Sequence, residues 1–415
     1  MKSIRSALAA AAVCMIPAQV CAMEIGDRTG IVYYSGIDTY INNYPIRAYH
    51  SDGRQLICAE DLRGYGFTVD WSPEDRALYI SRDNSAADIQ RDAGIKRSVY
   101  LAGKRAHDIV YTDISVYLNG EPVESYSIDG QMMIKLRSLE AVGTVEYSAE
   151  ENRASVFIDG LPAAEYAPLE EDLGSKITVV LDPGHGKSSW SMSDEEKRSA
   201  GYDCGSGGWG EWRHWKEGSA SEDCGGCRNE GQCWYPIGNG DRDTEPEINL
   251  RNALAAKAQL ENMGYSVRLT RTANDENPSF KARVSYCYPG NDLTAEPDAA
   301  CYVCIHSNAG GGRGSAYIGA GGNYTQKWIN SSYQEDCDLL GESINRRITA
   351  ETSLSEYSGG RIGGQGYMIL FHKSPVPAGY MEIGFFDSAD RRIIDEEYER
   401  IGLAIAEGIN DYMTE

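Results

Sequence analysis

Residues 179–186 of this 415-residue chain read VVLDPGHG, and the fold of the C-terminal half follows from this stretch. An apolar, β-branched run that ends abruptly in Asp-Pro-Gly is typical of a buried strand followed by a tight loop. The chain has only six histidines, and His185 stands between two glycines in that loop. Open α/β sheets bind their ligands at the carboxyl ends of the strands. We therefore expect a functional role for His185 at such a sheet edge.

From residue 175 to the C-terminus, strand and helix patterns alternate. Apolar runs predict strands at 176–181, 265–269, 301–305, 366–371 and 378–383. Apolar residues at steps of three or four predict helices at about 247–263, 338–349 and 396–412. This alternation favours an α/β domain over residues 175–415, with a twisted, mostly parallel or mixed sheet and helices on both of its faces.

Other side chains that can bind metal or transfer protons lie beside the same predicted edge. His306 follows a strand in CIHSNAG, and Glu382 closes the strand in GYMEIGF. Glu245 and Glu247 open the long helix, which begins near this edge because it follows the first strand. Each residue alone is more typical of a structural role, such as a hydrogen-bonded histidine or a helix-dipole carboxylate. Together, two imidazoles, one carboxylate and a spare carboxylate indicate a catalytic zinc site with a general base.

The segment from residue 176 to the C-terminus resembles the zinc-dependent N-acetylmuramoyl-L-alanine amidases of the third amidase family. Four blocks match in order: VVLDPGHG, EPEINLRNALAAKAQLENMGYSVRLTRTAND, CIHSNAGGGRGSAYI and MEIGFFDSADRRII. By position, the resemblance implies that His185, Glu245 and His306 bind Zn²⁺ and that Glu382 is the catalytic base. Glu245 is preferred to Glu247 because the family's ligand lies four residues before an Asn-Leu pair, here at 249–250.

The resemblance also implies a reaction and a substrate. Peptidoglycan would be cleaved at the amide between the lactyl group of N-acetylmuramic acid and L-alanine of the stem peptide. Arg271 and Arg283 recur in such enzymes, and we expect them to form ion pairs within the domain. Asn308 would fix either its loop or a polar group of the substrate. Two alternatives remain open: a zinc peptidase that acts on another stem-peptide amide, and a non-catalytic surface protein that binds the cell wall.

A Cys- and Trp-rich insertion at 187–244 departs from the family, which usually has a short loop there. It contains Cys204, Cys224, Cys227 and Cys233 and five of the seven tryptophans. A long loop without its own core needs cross-links, so two disulfides are expected. A zinc knuckle of the four thiolates, with His214, is the alternative. The insertion is either a lid beside the site or a structural loop packed on its own tryptophans.

A second group of cysteines surrounds the predicted strand at 301–305. Cys301 and Cys304 are three residues apart on that strand, so they face opposite sides of the sheet and cannot pair with each other. Bonds to Cys287 or Cys337 remain open.

The first third of the chain contains an internal repeat. Residues 37–80 and 114–158 match at several positions 77 residues apart, among them Asn42 with Asn119 and Asp52 with Asp129. Each copy predicts a short strand, two turns, a short helix and a hairpin, which is typical of a duplicated supersecondary unit. The copies resemble the stalk-like module named for the copper amine oxidase N-terminal domain. We expect a β-rich domain at 23–162 and an acidic linker at 163–174.

The N-terminus reads as an export signal at 1–22, with a basic start, an apolar stretch and a small-residue cleavage site. Its apolar stretch is too short to span a bilayer. We therefore expect a secreted, cell-wall-associated protein without a transmembrane segment. An exported protein has disulfides by default, and Cys58 is the candidate for an unpaired thiol. The net charge of −23 argues against nucleic acid as a partner. The oligomeric state is left open.

Overall fold

The computed structural model describes residues 23–83, 94–186, 244–274, 276, 278, 280–320, 333–363 and 374–415. The predicted signal segment, nearly all of the insertion at 187–244 and the predicted strand at 366–371 lie outside these residues. Within them, no helix combines the length and the apolar character that a membrane crossing requires.

The N-terminal domain is built from short strands, as its repeated turns predict. The strands, numbered along the chain, are β1 (Arg28–Tyr34), β2 (Asp38–Ile41), β3 (Tyr44–Pro45), β4 (Ala48–Ser51), β5 (Arg54–Cys58), β6 (Phe67–Ser72), β7 (Ala77–Arg82), β8 (Arg97–Ser98), β9 (Arg105–Val110), β10 (Ser115–Leu118), β11 (Glu121–Val123), β12 (Ser125–Ile128), β13 (Gln131–Lys135), β14 (Gly143–Ser148), β15 (Arg153–Ile158) and β16 (Glu171–Asp172). The short helices expected in each copy are 3₁₀ helices at Glu60–Tyr65 and Leu136–Ala141.

These strands form a closed barrel and two four-stranded sheets. The barrel order is β1-β4-β5-β13-β12-β9, and the sheets run β11-β10-β7-β6 and β14-β15-β2-β3. The predicted hairpins are present as the antiparallel pairs β6–β7 and β14–β15. Each four-stranded sheet combines strands from both predicted copies, because β10 lies parallel to β7 and β15 lies parallel to β2. The two copies therefore share their hydrophobic core.

The predicted linker packs in part on the N-terminal domain. Tyr166 contacts the edge of the Tyr40 ring at a centroid distance of 5.4 Å, and the Tyr40 hydroxyl donates a hydrogen bond of 3.1 Å to the carbonyl of Ala167. Further along, β16 pairs in parallel with β8. Two tyrosines and backbone hydrogen bonds hold this segment. Its acidic composition therefore gave no indication that it packs on the domain.

The C-terminal domain contains the predicted mixed α/β sheet. Its strands are β17 (Thr178–Pro183), β18 (Ser266–Leu269), β19 (Ala299–Asn308), β20 (Ser315–Ile318), β21 (Glu356–Ile362) and β22 (Ala378–Phe385), in the order β18-β17-β19-β22-β20-β21. Neighbours are parallel except β20 and β22, which are antiparallel. The helices among the described residues of this domain are α1 (Thr244–Asn262), α2 (Phe280–Ser285), α3 (Gln334–Glu351), α4 (Asp390–Glu396) and α5 (Tyr398–Thr414), and a 3₁₀ turn occupies Pro289–Asn291.

The described helices lie on both faces of this sheet, as the alternation predicts, but they cover the two faces unequally. The three long helices α1, α3 and α5 pack together on one face, in a core with β17, β19 and β22. Within the described residues, the other face is covered by the short α2 and by connecting segments. The helix predicted at about 396–412 is present as α5, and the short α4, which was not predicted, precedes it. Alternation along the chain predicts the layers but not the side on which each crossover lies.

The cysteines of the described residues are thiols, so the disulfides that remained open around β19 are not seen there. Cys301 packs with Val303 beneath the long helices, whereas Cys304 packs with Tyr302 on the other face. This is the opposed orientation expected from their spacing on one strand. The four cysteines of the insertion lie outside the described residues.

Candidate active site

Three side chains converge at the carboxyl edge of the sheet. His185 follows β17, Glu245 begins α1, and His306 lies near the end of β19. Each offers one donor atom, and these atoms lie within 4.8 Å of one another. Glu245 stands between the imidazoles: its Oε2 is 3.2 Å from His185 Nε2, and its Oε1 is 3.2 Å from His306 Nδ1. The neighbouring Glu247 is exposed on the outer side of α1.

His185 adopts a backbone conformation that non-glycine residues rarely use, with φ of 59°. Arg283 holds it there by donating a hydrogen bond of 2.7 Å to the His185 carbonyl. The same buried guanidinium forms the expected ion pair, with Asp182, at 2.5 Å. Strained backbone of this kind is typical of functional sites and persists only where the surroundings impose it.

Arg271 also braces this loop, but not through the ion pair that we expected. Its buried guanidinium donates to the carbonyls of Pro183 (2.9 Å), Gly184 (3.0 Å) and Pro246 (2.6 Å). It thus joins the loop before His185 to the first turn of α1, which carries Glu245. Burial is the main reason that the pKa of Arg271 is lowered to about 10. Backbone carbonyls have no sequence signature, so this role could not be predicted.

Gly184 allows His306 to approach the His185 loop. A Cβ atom at position 184 would overlap the imidazole ring of His306. The two imidazole rings are T-shaped, with their centroids 4.7 Å apart. Gly184 is therefore needed for the space that it leaves, as expected for a glycine beside a close approach.

Tyr380 stacks on the imidazole ring of His306, with ring centroids 4.6 Å apart and an angle of 13° between the planes. Burial lowers the pKa of His306, which favours the neutral imidazole that metal ions bind. Tyr380 was not among the residues expected at the site. The available signal is its position two residues before Glu382, since alternate residues of a strand share a face.

Glu382 lies beside these donors but does not belong to their group. On the parallel strands β19 and β22, it is directly opposite His306. Burial, and then the negative charge of Glu245, raise its pKa well above the usual range of a glutamate. Asn308 contributes to its loop, because its Oδ1 accepts a hydrogen bond of 2.8 Å from the backbone N–H of Ala309.

The sequence profile of N-acetylmuramoyl-L-alanine amidases, the third amidase family, matches residues 179–411. The chain belongs to this family. The match covers more than half of the chain, including the whole candidate site. The protein is thus an amidase that hydrolyses an amide bond of peptidoglycan, and the non-catalytic alternative is set aside. No curated protein matches the chain in sequence.

Solved amidase structures resemble the C-terminal part of this amidase. Ami1 from Mycobacterium abscessus is 19% identical, covers 57% of this chain and 98% of its own, and has a TM-score of 0.38. AmiC2 of Nostoc punctiforme is 22% identical, with coverages of 58% and 99% and a TM-score of 0.35. The catalytic domain of CwlV from Bacillus (Paenibacillus) polymyxa is 20% identical, with coverages of 57% and 97% and a TM-score of 0.34.

Proposed function

We propose that the amidase works with a zinc ion held by His185, Glu245 and His306. The donor set supports this, because two imidazoles and one carboxylate reach one point from three different elements. The Nδ1 atom of His185 adds support, since it is buried and has no hydrogen-bond partner among the described residues. Buried polar atoms need partners. Zinc at this position would polarise the carbonyl of the scissile amide and acidify water.

Glu382 is proposed as the catalytic base. It faces the same side of the sheet as His306, and its raised pKa suits a carboxylate that must take a proton and keep it briefly. Glu382 accepts a proton from water as the water oxygen bonds to the carbonyl carbon. When the C–N bond breaks, Glu382 returns this proton to the nitrogen of L-alanine. The products are a lactyl carboxylic acid on the glycan and a stem peptide with a free amine.

We further propose that the N-terminal domain is a duplicated, stalk-like module. Equivalent turn residues support the duplication: Asn42 and Asn119 have φ of 48° and 51°, and Asp52 and Asp129 have φ of 49° and 50°. The reciprocal pairing of β2 with β15 and of β10 with β7 also supports it. With the predicted signal at residues 1–22, such a module suits an enzyme that is exported to its cell-wall substrate.

Digestion of purified sacculi by the wild type and by Glu382→Gln tests this mechanism. We expect the wild type to release stem peptides with a new L-alanine amine. Glu382→Gln should bind zinc normally but cleave about 10²- to 10⁴-fold more slowly. The control is Glu247→Gln, an exposed glutamate on the first turns of α1, which should keep full activity. Undiminished cleavage by Glu382→Gln would exclude the base role, and a different new amine would indicate the peptidase alternative.

A further inference from the structure

Asn249 touches all three segments that carry the candidate zinc ligands. It lies on α1, one turn after Glu245, and is completely buried. Resting on the proposed zinc function, we infer that Asn249 is a positioning residue, whose side-chain amide sets the orientation of Glu245 relative to both histidines. Its hydrogen bonds among the described residues go to Glu245, Gly184 and Ser307, so it acts on the histidines through the groups that hold them.

The amide nitrogen of Asn249 serves two acceptors. Its Nδ2 lies 3.3 Å from Oε1 of Glu245 and 3.3 Å from the carbonyl oxygen of Gly184, the residue before His185. An amide has two N–H donors, so both bonds form at once. One end of the side chain thereby ties the Glu245 carboxylate to the loop of His185.

The amide oxygen of Asn249 serves the third segment. The hydroxyl of Ser307, the residue after His306, donates a hydrogen bond of 3.3 Å to Asn249 Oδ1. The backbone N–H of Ser307 also donates to Oε1 of Glu245, at 3.3 Å. Asn249, Ser307 and Glu245 therefore form a closed set of hydrogen bonds at the end of β19.

This arrangement determines which oxygen of Glu245 faces each partner. Oε1 lies near Asn249, Ser307 and His306, while Oε2 is directed toward His185. Position 249 requires two N–H donors and one acceptor within one short side chain. Asparagine supplies all three, whereas aspartate, serine and alanine do not. Groups that orient metal ligands in this way typically contribute about 10- to 100-fold to metal affinity.

Asn252 provides a matched control on the same helix. It is also a fully buried asparagine of α1, three residues further on, but its Oδ1 and Nδ2 have no hydrogen-bond partner among the described residues. Replacing either residue by alanine removes the same atoms from the interior. Only the change at position 249 removes bonds to the ligand-bearing segments.

The test is the affinity of the full-length protein for Zn²⁺ alone, measured by competition with a chromophoric chelator, together with the thermal midpoint of each metal-free variant. We expect Asn249→Ala to weaken Zn²⁺ binding about 10- to 100-fold and to change the visible spectrum of bound Co²⁺. The Zn²⁺ affinity of Asn252→Ala should stay within about threefold of the wild-type value, which is well below the effect expected at position 249. Its Co²⁺ spectrum should match that of the wild type. If Asn249→Ala does not fold, Asn249→Ser and Asn252→Ser replace the pair, with the same expectation.

Wild-type affinity in the position-249 variant, or equal weakening in both variants, would overturn the positioning role. If the wild type itself does not bind Zn²⁺, the proposed zinc function fails and the inference fails with it. If the wild type binds Zn²⁺ and Asn249→Ala binds equally well, only the inference fails.

Discussion

Arg105 of the N-terminal barrel donates a hydrogen bond of 2.8 Å to Asp336, which lies in the first turn of α3 in the catalytic domain. Asp336 is completely buried, and its other carboxylate oxygen accepts a hydrogen bond of 2.7 Å from Arg28 of β1. A buried carboxylate of the catalytic domain thus depends on two cations from the N-terminal domain. This relationship makes the two domains energetically dependent on each other.

Removal of both cations should destabilise the whole protein. Arg28→Ala/Arg105→Ala leaves the buried Asp336 without its two arginines, and loss of the partners of a buried charge costs about 3–5 kcal/mol. Urea unfolding measures this loss. The control is Arg76→Ala, whose pair with Asp113 is exposed to solvent and therefore contributes little to stability. Equal losses in the two variants would show that the domains do not depend on this contact.

A side chain at position 184 should damage the site without a large effect on the fold. Gly184→Ala places a Cβ where the imidazole of His306 lies, so His306 must move. We expect a large decrease in both Zn²⁺ affinity and amidase rate. Gly363→Ala is the control, because a Cβ there meets no atom within 4 Å and needs no unusual backbone angle. Full activity of Gly184→Ala would contradict the requirement for close contact.

Lys104 should make stability depend on pH above neutrality. The residue is 6% exposed, with its Nζ 3.5 Å from the centre of the Tyr265 ring, and burial lowers its pKa to about 8. The unfolded chain, with a lysine pKa of about 10.4, therefore binds more protons between these values, and stability rises with pH by up to about 1.4 kcal/mol per unit. Below pH 8 the cost of burying the charge is fully present.

Lys104→Met should remove this contribution. The difference in unfolding free energy between wild type and Lys104→Met, measured from pH 7 to 10.5, should favour the variant most at pH 7 and shrink as pH rises. A constant difference for Lys104→Met would contradict its burial as a charged group.

Zinc should stabilise the folded protein through the candidate donors. A ligand that binds only the native state adds about 2.7 kcal/mol at 100 times its Kd. We expect zinc to raise the thermal midpoint of the wild type and a chelator to reverse the rise. His306→Ala should lose this response, whereas His50→Ala, which changes a barrel histidine stacked on Tyr33, should retain it. A zinc response retained by His306→Ala would place the metal elsewhere.

Much of the candidate site was accessible from sequence because of one geometrical rule. His185, His306 and Glu382 follow or close strands that were recognised from their apolar runs, and parallel strands end at a common edge. The spacing to Asn249-Leu250 selected Glu245 over Glu247, and the structure brings Glu245 to the histidines. In the N-terminal domain, the Asp-Gly and Asn-containing turns could be recognised because these residues tolerate left-handed backbone, which Asp52, Asp129, Asn42 and Asn119 adopt.

Local sequence patterns did not predict contacts between segments that are distant along the chain. Asn249, Tyr380 and the carbonyl-binding Arg271 have no motif that marks their partners. The pairing of β2 with β15, and of Asp336 with Arg105, joins residues more than a hundred positions apart. Likewise, the face of the sheet that the long helices cover depends on how the connections between strands pack.

By itself, the amino-acid order determined the α/β class, the amidase family and the residues that meet at the sheet edge. The class and the sheet edge follow from hydrophobic periodicity and turn chemistry, which act over a few neighbouring residues, whereas the family and the choice of Glu245 follow from the four motif blocks that the chain shares with it. Only the tertiary structure decided how Glu245 is oriented, which faces the helices cover and how the barrel holds the catalytic domain. Those features depend on hydrogen bonds and burial between segments that only folding brings together.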